Sequence, residues 1–195
     1  YSADKLVICA GAWGAKLVPE LATLAVPERQ VLGWFQPARP ALFRVPTFPV
    51  FNMAVEEGRY YGFPIYGIPG FKVGRYHHLE QRVDPDQMDR ETHREDEDVL
   101  RRFTVRYFPD AAGPTMSLKT CLFTNTPDEH FILDLHPTLP QVCLAAGFSG
   151  HGFKFCSVVG EIMADLAQTG RSQHHLDLFR LRRFQETSPL SHERR

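Results

Sequence analysis

Four places in the sequence hold residue types that could do chemistry. At residues 147–154 the run Gly-Phe-Ser-Gly-His-Gly-Phe-Lys follows the apolar stretch Val142–Ala146. It precedes Phe155, Val158, Val159, Ile162, Met163 and Leu166, which recur at helical spacing up to a stop at Gly170. Strand, glycine turn and helix start aim the positive end of a helix dipole at one spot, and Lys154 adds a full charge. A phosphate, a carboxylate or an electron-rich ring would suit that spot, and glycine turns are too common for the pattern alone to choose. Lys72 is the second place. Its neighbours Phe71 and Val73 face the other side of a strand, so its ammonium is either solvated, as most strand lysines are, or aimed at a ligand. Third, strand alternation sets His130, Asp134 and His136 on one face. They could ligate a metal, but no second ligand cluster at suitable spacing stands out, and no metal site is expected. Fourth are Cys9, Cys121, Cys143 and Cys156, with no CxxC pair among them. By type alone they read as small core residues in a reducing compartment, not as a zinc ribbon or disulfide scaffold.

The elements that must position these residues follow from the pattern of apolar positions. Lys5-Leu-Val-Ile-Cys-Ala10, running into Gly11-Ala-Trp-Gly14, is expected to be a fully buried parallel strand and its turn. A short helix over residues 15–24, broken by Pro19, comes next. From residue 27 to about 69 prolines punctuate short aromatic runs. Residues 30–35, 59–63 and 71–77 are expected to form an antiparallel sheet, whose aromatic side chains either fill a core or wall a pocket. Residues 84–98 are acidic and lead into an amphipathic helix buried through Val99, Leu100, Phe103 and Tyr107, with Glu95 to Asp98 solvated at its start. Residues 117–126 and 131–136 read as further strands, and residues 187–195 as a loose tail.

The 195 residues suffice for a real core, in one domain or two. With 22 basic and 23 acidic residues the net charge is −1, which gives no footprint for nucleic acid. No apolar run reaches the length of a membrane span, and no signal peptide is visible. The chain starts at Tyr1 and enters a strand almost at once, so it is expected to be the C-terminal part of something longer. A cytoplasmic location is expected. A peroxisomal one would need a eukaryotic source, and the terminal Ser-Lys-Leu address is lacking.

Three groups of segments carry a family likeness: residues 3–13, Ala-Asp-Lys-Leu-Val-Ile-Cys-Ala-Gly-Ala-Trp; Tyr60-Tyr-Gly-Phe-Pro64 with Gly70-Phe-Lys-Val-Gly74; and Lys119-Thr-Cys-Leu-Phe-Thr-Asn-Thr-Pro-Asp-Glu-His-Phe-Ile-Leu-Asp-Leu-His136, followed by residues 145–154. Together they resemble the monomeric sarcosine oxidase family, flavin-dependent amine oxidases that include N-methyltryptophan and pipecolate oxidases. The likeness runs to about residue 180. It implies an α/β (mixed α+β) fold, the C-terminal part of a two-domain FAD amine oxidase. Residues 1–26 would belong to the FAD-binding domain and 27–118 to an antiparallel substrate domain with a flanking helix. Residues 119–182 would return to the FAD domain, and 183–195 would form a tail. The resemblance further implies FAD bonded through its 8α-methyl group to Cys121, with Gly11, Trp13, Gly150, His151, Gly152, Phe153 and Lys154 around the cofactor. Lys154 would also bind the substrate carboxylate. Lys72 would favour the reaction with oxygen, and His77 would be the active-site histidine, with His78 an alternative because Arg75 interrupts the family's Gly-Tyr-His. Tyr61 and Met53 would line the substrate pocket. The implied reaction is oxidation of the C–N bond of a secondary amino acid by O2, giving H2O2, in an enzyme that is monomeric when complete. The family's GxGxxG half does not appear in this chain, which by itself would hold FAD poorly. The competing expectation is a non-catalytic fragment or binding module that keeps the fold without the flavin.

Overall fold

The computed structural model describes residues 2–184. In chain order the strands are β1 (Leu6–Ile8), β2 (Val26–Phe35), β3 (Phe51–Val55), β4 (Gly58–Phe63), β5 (Phe71–Arg75), β6 (Thr115–Asn125), β7 (Ile132–Leu135) and β8 (Val142–Ala146). The helices are α1 (Gly14–Leu17), α2 (Arg94–Tyr107) and α3 (Cys156–Thr169). They fall into two compact units, Tyr1–Val26 with Thr124–Arg195, and Pro27–Phe123. Residues 185–195, where a tail is expected, lie outside the described residues.

The first unit is built on a three-stranded sheet in the order β1-β8-β7, with β1 parallel and β7 antiparallel to β8. All five residues of β8 are buried because both faces are covered, which is why it reads as an unbroken apolar run. Val142, Leu144 and Ala146 meet Val18, Leu21 and Ala25 on one side. On the other, Cys143 and Ala145 meet Ile162, Met163 and Leu166 of α3. Gly170 ends α3 at φ 74°, and its N–H donates to the Leu166 carbonyl at 3.0 Å. Two expectations need correction. β1 is parallel, but it is an edge strand with Leu6 52% and Val7 41% exposed, because among the described residues only β8 pairs with it. The helix expected over residues 15–24 is α1 followed by a 3-10 turn at Pro19–Leu21, since Pro19 has no N–H to continue an α-helix.

The second unit is a five-stranded sheet in the order β3-β4-β5-β2-β6, with β2, β3, β4 and β5 paired antiparallel. Helix α2 covers one face. Val31, Phe35, Tyr60, Phe71 and Val73 pack there against Val99, Leu100 and Phe103, and the Tyr60 ring lies 3.9 Å from that of Phe103 in a parallel stack. Strand alternation sends Trp34, Tyr61, Phe63 and Lys72 to the opposite face. The aromatic residues therefore split, some filling the core and others walling an open surface. Asp96, expected to be solvated at the start of α2, is fully buried. The division between the units falls after Phe123, within β6, so Cys121 lies in this sheet. Among the described residues no helix is long and apolar enough to cross a membrane.

Candidate functional site

On the open face of the second unit, cross-strand register brings Trp34, Lys72 and Phe63 into one row. The Lys72 ammonium lies 5.1 Å from the Trp34 ring centre and 4.9 Å from that of Phe63, within cation–π range of both. In the next row Tyr61 stands opposite Gly74. The glycine gives the ring its place, because a Cβ at 74 would lie 2.5 Å from the Tyr61 ring and displace it. Tyr61 also meets Tyr76 edge-on at 5.0 Å, and burial, with Cys121 and Tyr76 nearby, pushes its phenol well above the ordinary range. Cys121 on β6 belongs to this group. Burial raises its thiol, and the Lys72 charge pulls it back down. Lys72, Cys121 and Tyr61 are thus brought together. Met53 is not, since it pairs across the sheet with Tyr60 and packs on the helix-facing core.

Arg75, the residue that interrupts the family motif, anchors the turn after β5 by donating from Nη1 to the His78 carbonyl at 2.8 Å. That turn sends two histidines in different directions. The His78 ring is wholly enclosed and donates from Nε2 to Asp96 at 3.0 Å; burial holds its pKa below the ordinary value despite the carboxylate. The His77 side chain is 38% exposed, its backbone sits at φ 53°, and its Nδ1 lies 3.2 Å from both oxygens of Glu28. His77, not His78, is therefore the histidine presented outward.

Beneath them Arg29 holds Asp96 with two hydrogen bonds of 2.8 Å. Burial alone would raise the Asp96 carboxyl, but the Arg29 hydrogen bonds, that from the His93 backbone and the Arg29 and His78 charges bring it down to about 2. Sequence reasoning passed over this network. The visible signal was Glu28-Arg-Gln30, three polar residues inside an otherwise apolar strand.

In the first unit the glycine turn is sharply wound, with Gly147, Ser149 and Gly150 at φ 63°, 48° and 75°. Ser149 is buried; its hydroxyl donates to the Gly147 carbonyl at 3.1 Å and accepts from the Thr126 N–H at 3.2 Å. His151 Nε2 pairs with the Glu129 carbonyl at 3.0 Å. Gly152 has no room for a Cβ, which would come 2.5 Å from the Phe148 ring. A 3-10 turn, Phe153–Phe155, leads into α3 and leaves Phe153 91% exposed. Lys154 is exposed, donates to the His151 carbonyl at 2.8 Å and lies over the Phe155 ring. Gly11 and Trp13 form the turn after β1, Gly11 at φ 52°. The strand face proposed for metal is otherwise engaged: Asp134 accepts from Arg180 at 2.6 Å and from the Leu181 N–H at 2.9 Å, and His136 pairs with Glu20 at 3.4 Å. Among the described residues no group of three or more potential ligands could hold a metal ion. Cys143 is buried, whereas Cys9 and Cys156 are exposed, so those two are not the core residues their type suggested.

Comparison with known proteins places these residues in a family. The profile described as FAD dependent oxidoreductase matches residues 1–166. The monomeric sarcosine oxidase of Bacillus sp. (strain NS-129) is 46% identical over 187 residues, covering 94% of this chain and 48% of its own length. The N-methyl-L-tryptophan oxidase of Escherichia coli O127:H6 is 37% identical, with 95% and 49% covered, and the human peroxisomal sarcosine oxidase 35%, with 94% and 49% covered. The chain thus spans about half the length of the curated relatives it matches. In fold it is similar to the fructosamine oxidase Amadoriase II of Aspergillus fumigatus, with a TM-score of 0.74 at 20% identity, over 93% of this chain and 45% of that one. With the profile matching more than four-fifths of its length, the chain belongs to the FAD dependent oxidoreductase family.

Proposed function

We propose that this chain is the C-terminal part of an FAD-dependent amine oxidase that oxidises the C–N bond of a secondary amino acid of the sarcosine, N-methyl amino acid or pipecolate type, with O2 as acceptor and H2O2 as product. The observation that carries this reading is the aromatic sheet face that holds Lys72 between Trp34 and Phe63, with Tyr61 in the next row and the Cys121 thiol near enough to feel the Lys72 charge.

The residues present fit a flavin. A partly buried thiol is the donor a thioether to the flavin 8α carbon requires, and the Lys72 charge offsets part of the cost that burial puts on its thiolate. In the other unit the tightly wound turn through Gly147, Gly150 and Gly152 and the exposed aromatic ring of Phe153 offer backbone and a flat apolar surface to a ring system. Gly11, Trp13, Gly150, His151, Gly152 and Phe153 are assigned to holding the cofactor, and Cys121 to tethering it. FAD, when bound, supplies the two-electron oxidation and hands the electrons to O2. Lys154 anchors the substrate carboxylate by charge, and Tyr61 walls the side of the pocket. His77 presents an imidazole toward the amine. Lys72 stabilises developing negative charge where oxygen is reduced. Met53 supports the sheet from its helix side. The complete protein is read as a cytoplasmic monomer in which the FAD phosphates are held by the half that the relatives possess and this chain does not span.

The test uses the protein with that phosphate-binding half in place. After acid precipitation the yellow colour is expected to stay in the pellet, and in Cys121→Ser to move to the supernatant. Peroxide release is expected with sarcosine, N-methyltryptophan or pipecolate. Colour freed from the unaltered protein would remove the tether, and no peroxide with any of these amines would remove the oxidase reading.

A further inference from the structure

We propose that Trp34 and Phe63 are positioning residues for Lys72: two aromatic rings, standing where a carboxylate would be expected, hold its ammonium in one place and leave its charge uncompensated. The use of that charge where oxygen is reduced rests on the oxidase reading above. The placement follows from register. Lys72 lies in β5, between β4 and β2, and is paired directly with Phe63 on one side and Trp34 on the other. Residues opposed in this way put their Cβ atoms about 4.5–5.5 Å apart on one face, so both rings flank the lysine stem. Its Nζ ends 4.9 Å from the Phe63 ring centre and 5.1 Å from that of Trp34. Along its own strand the lysine has glycines two positions before and two after it, Gly70 and Gly74. A Cβ at Gly70 would lie 3.1 Å from the Cβ of Trp34, and one at Gly74 would lie 2.5 Å from the Tyr61 ring. Trp34 and Tyr61 therefore approach the β5 backbone just before and just after Lys72.

The company of this charge is what calls for an explanation. Lys72 is partly buried, yet among the described residues it has no hydrogen bond and no ion pair. Its contacts are the two rings, and its field reaches the Cys121 thiol. A carboxylate partner would hold the ammonium but also cancel its charge. The negative face of an aromatic ring attracts the cation and neutralises nothing. A lysine held in this way keeps its full positive charge for a negative charge that appears only during a reaction.

The test first reads the lysine in this chain, without flavin or substrate, so its failure is separate from failure of the oxidase reading. With lysines labelled at Cε for magnetic resonance, the Lys72 signal is assigned by its loss in Lys72→Arg. It is expected to show through-space contacts to both the Trp34 and Phe63 rings and slower motion than the exposed Lys119. Trp34→Leu and Phe63→Leu, which keep apolar bulk and remove a ring, are expected to free the methylene, and Trp34→Phe and Phe63→Tyr to keep it held. In the flavin-loaded complete protein Trp34→Leu is expected to slow the reaction of reduced flavin with oxygen about fivefold, the scale of one cation–π contact, and flavin reduction by less. A Lys72 methylene as mobile as that of Lys119, or one equally held in both leucine variants, overturns the proposal, as do equal effects on the two flavin steps. If the leucine variants do not fold, contacts to both rings in the unaltered chain sustain the proposal and their absence overturns it.

Discussion

At the scale of single residues, the group with the greatest influence on stability is the buried trio Arg29, Asp96 and His78. Taking a carboxylate and a guanidinium out of water is costly, and only their mutual hydrogen bonds offset it, so removing one partner leaves an uncompensated charge. Arg29→Met is expected to cost about 3–5 kcal/mol in urea denaturation. Adding Asp96→Leu to it should recover part of that loss, and a double variant no better than the single one would mean the pair does not act as a unit. The same trio sets a pH dependence. Asp96 has a folded pKa of about 2, below its unfolded value, so its contribution is complete above about pH 4 and is lost as pH falls toward 2. His78 is also depressed, so the unfolded chain takes up its proton first and stability begins to fall below about pH 6.5. The unfolding midpoint should therefore drop in two stages on acidification, and His78→Gln should remove the upper one. A midpoint constant from pH 7 to 4 would show that His78 is not held neutral.

At the scale of elements, two glycines decide how close neighbouring strands and side chains approach. A Cβ at Gly62 in β4 would lie 2.5 Å from the Lys72 backbone carbonyl in β5, and backbone cannot yield without parting the two strands. At Gly74 the obstacle is the Tyr61 ring, which can swing away. The same change at the two positions should thus give different results. Gly62→Ala is expected to lower stability by about 1–3 kcal/mol through overpacking. Gly74→Ala should cost less but expel Tyr61, whose phenol would then titrate near its ordinary value in ultraviolet absorbance, where burial now raises it. A Tyr61 that stays raised in Gly74→Ala would mean the ring had kept its place. Much of this level was legible in the sequence. β8 and α3 announced themselves by a continuous apolar run and a helical repeat, each a local pattern. Lys72 was legible as a residue facing away from Phe71 and Val73, but only the family resemblance connected it with Cys121, on a strand far along the chain. Arg29 and Asp96 were not paired because 67 positions separate them and no periodicity links a strand arginine to a helix acid.

At the scale of the molecule, burial depends on neighbours, and here the sequence misleads. The run from Leu6 to Ile8 has the composition of a strand covered on both faces, yet Leu6 is 52% and Val7 41% exposed. Since the two side chains alternate, the apolar surface appears on both faces of the strand at once. The strand's outer edge also lacks a neighbour among the described residues, so it presents backbone donors and acceptors together with apolar side chains. Such an edge is a template for pairing with a further strand, and the curated relatives are about twice as long as this chain. Produced by itself, the chain should associate through this edge, sedimenting as oligomers and binding a hydrophobic dye. Leu6→Lys with Val7→Thr should return it to a monomer without loosening β8, whose pairing with β7 and packing on α3 are independent of those two side chains. Slow amide exchange throughout β8 in that variant, with fast exchange in β1, would locate the association at the edge. Oligomers that persist unchanged in the variant would place it elsewhere.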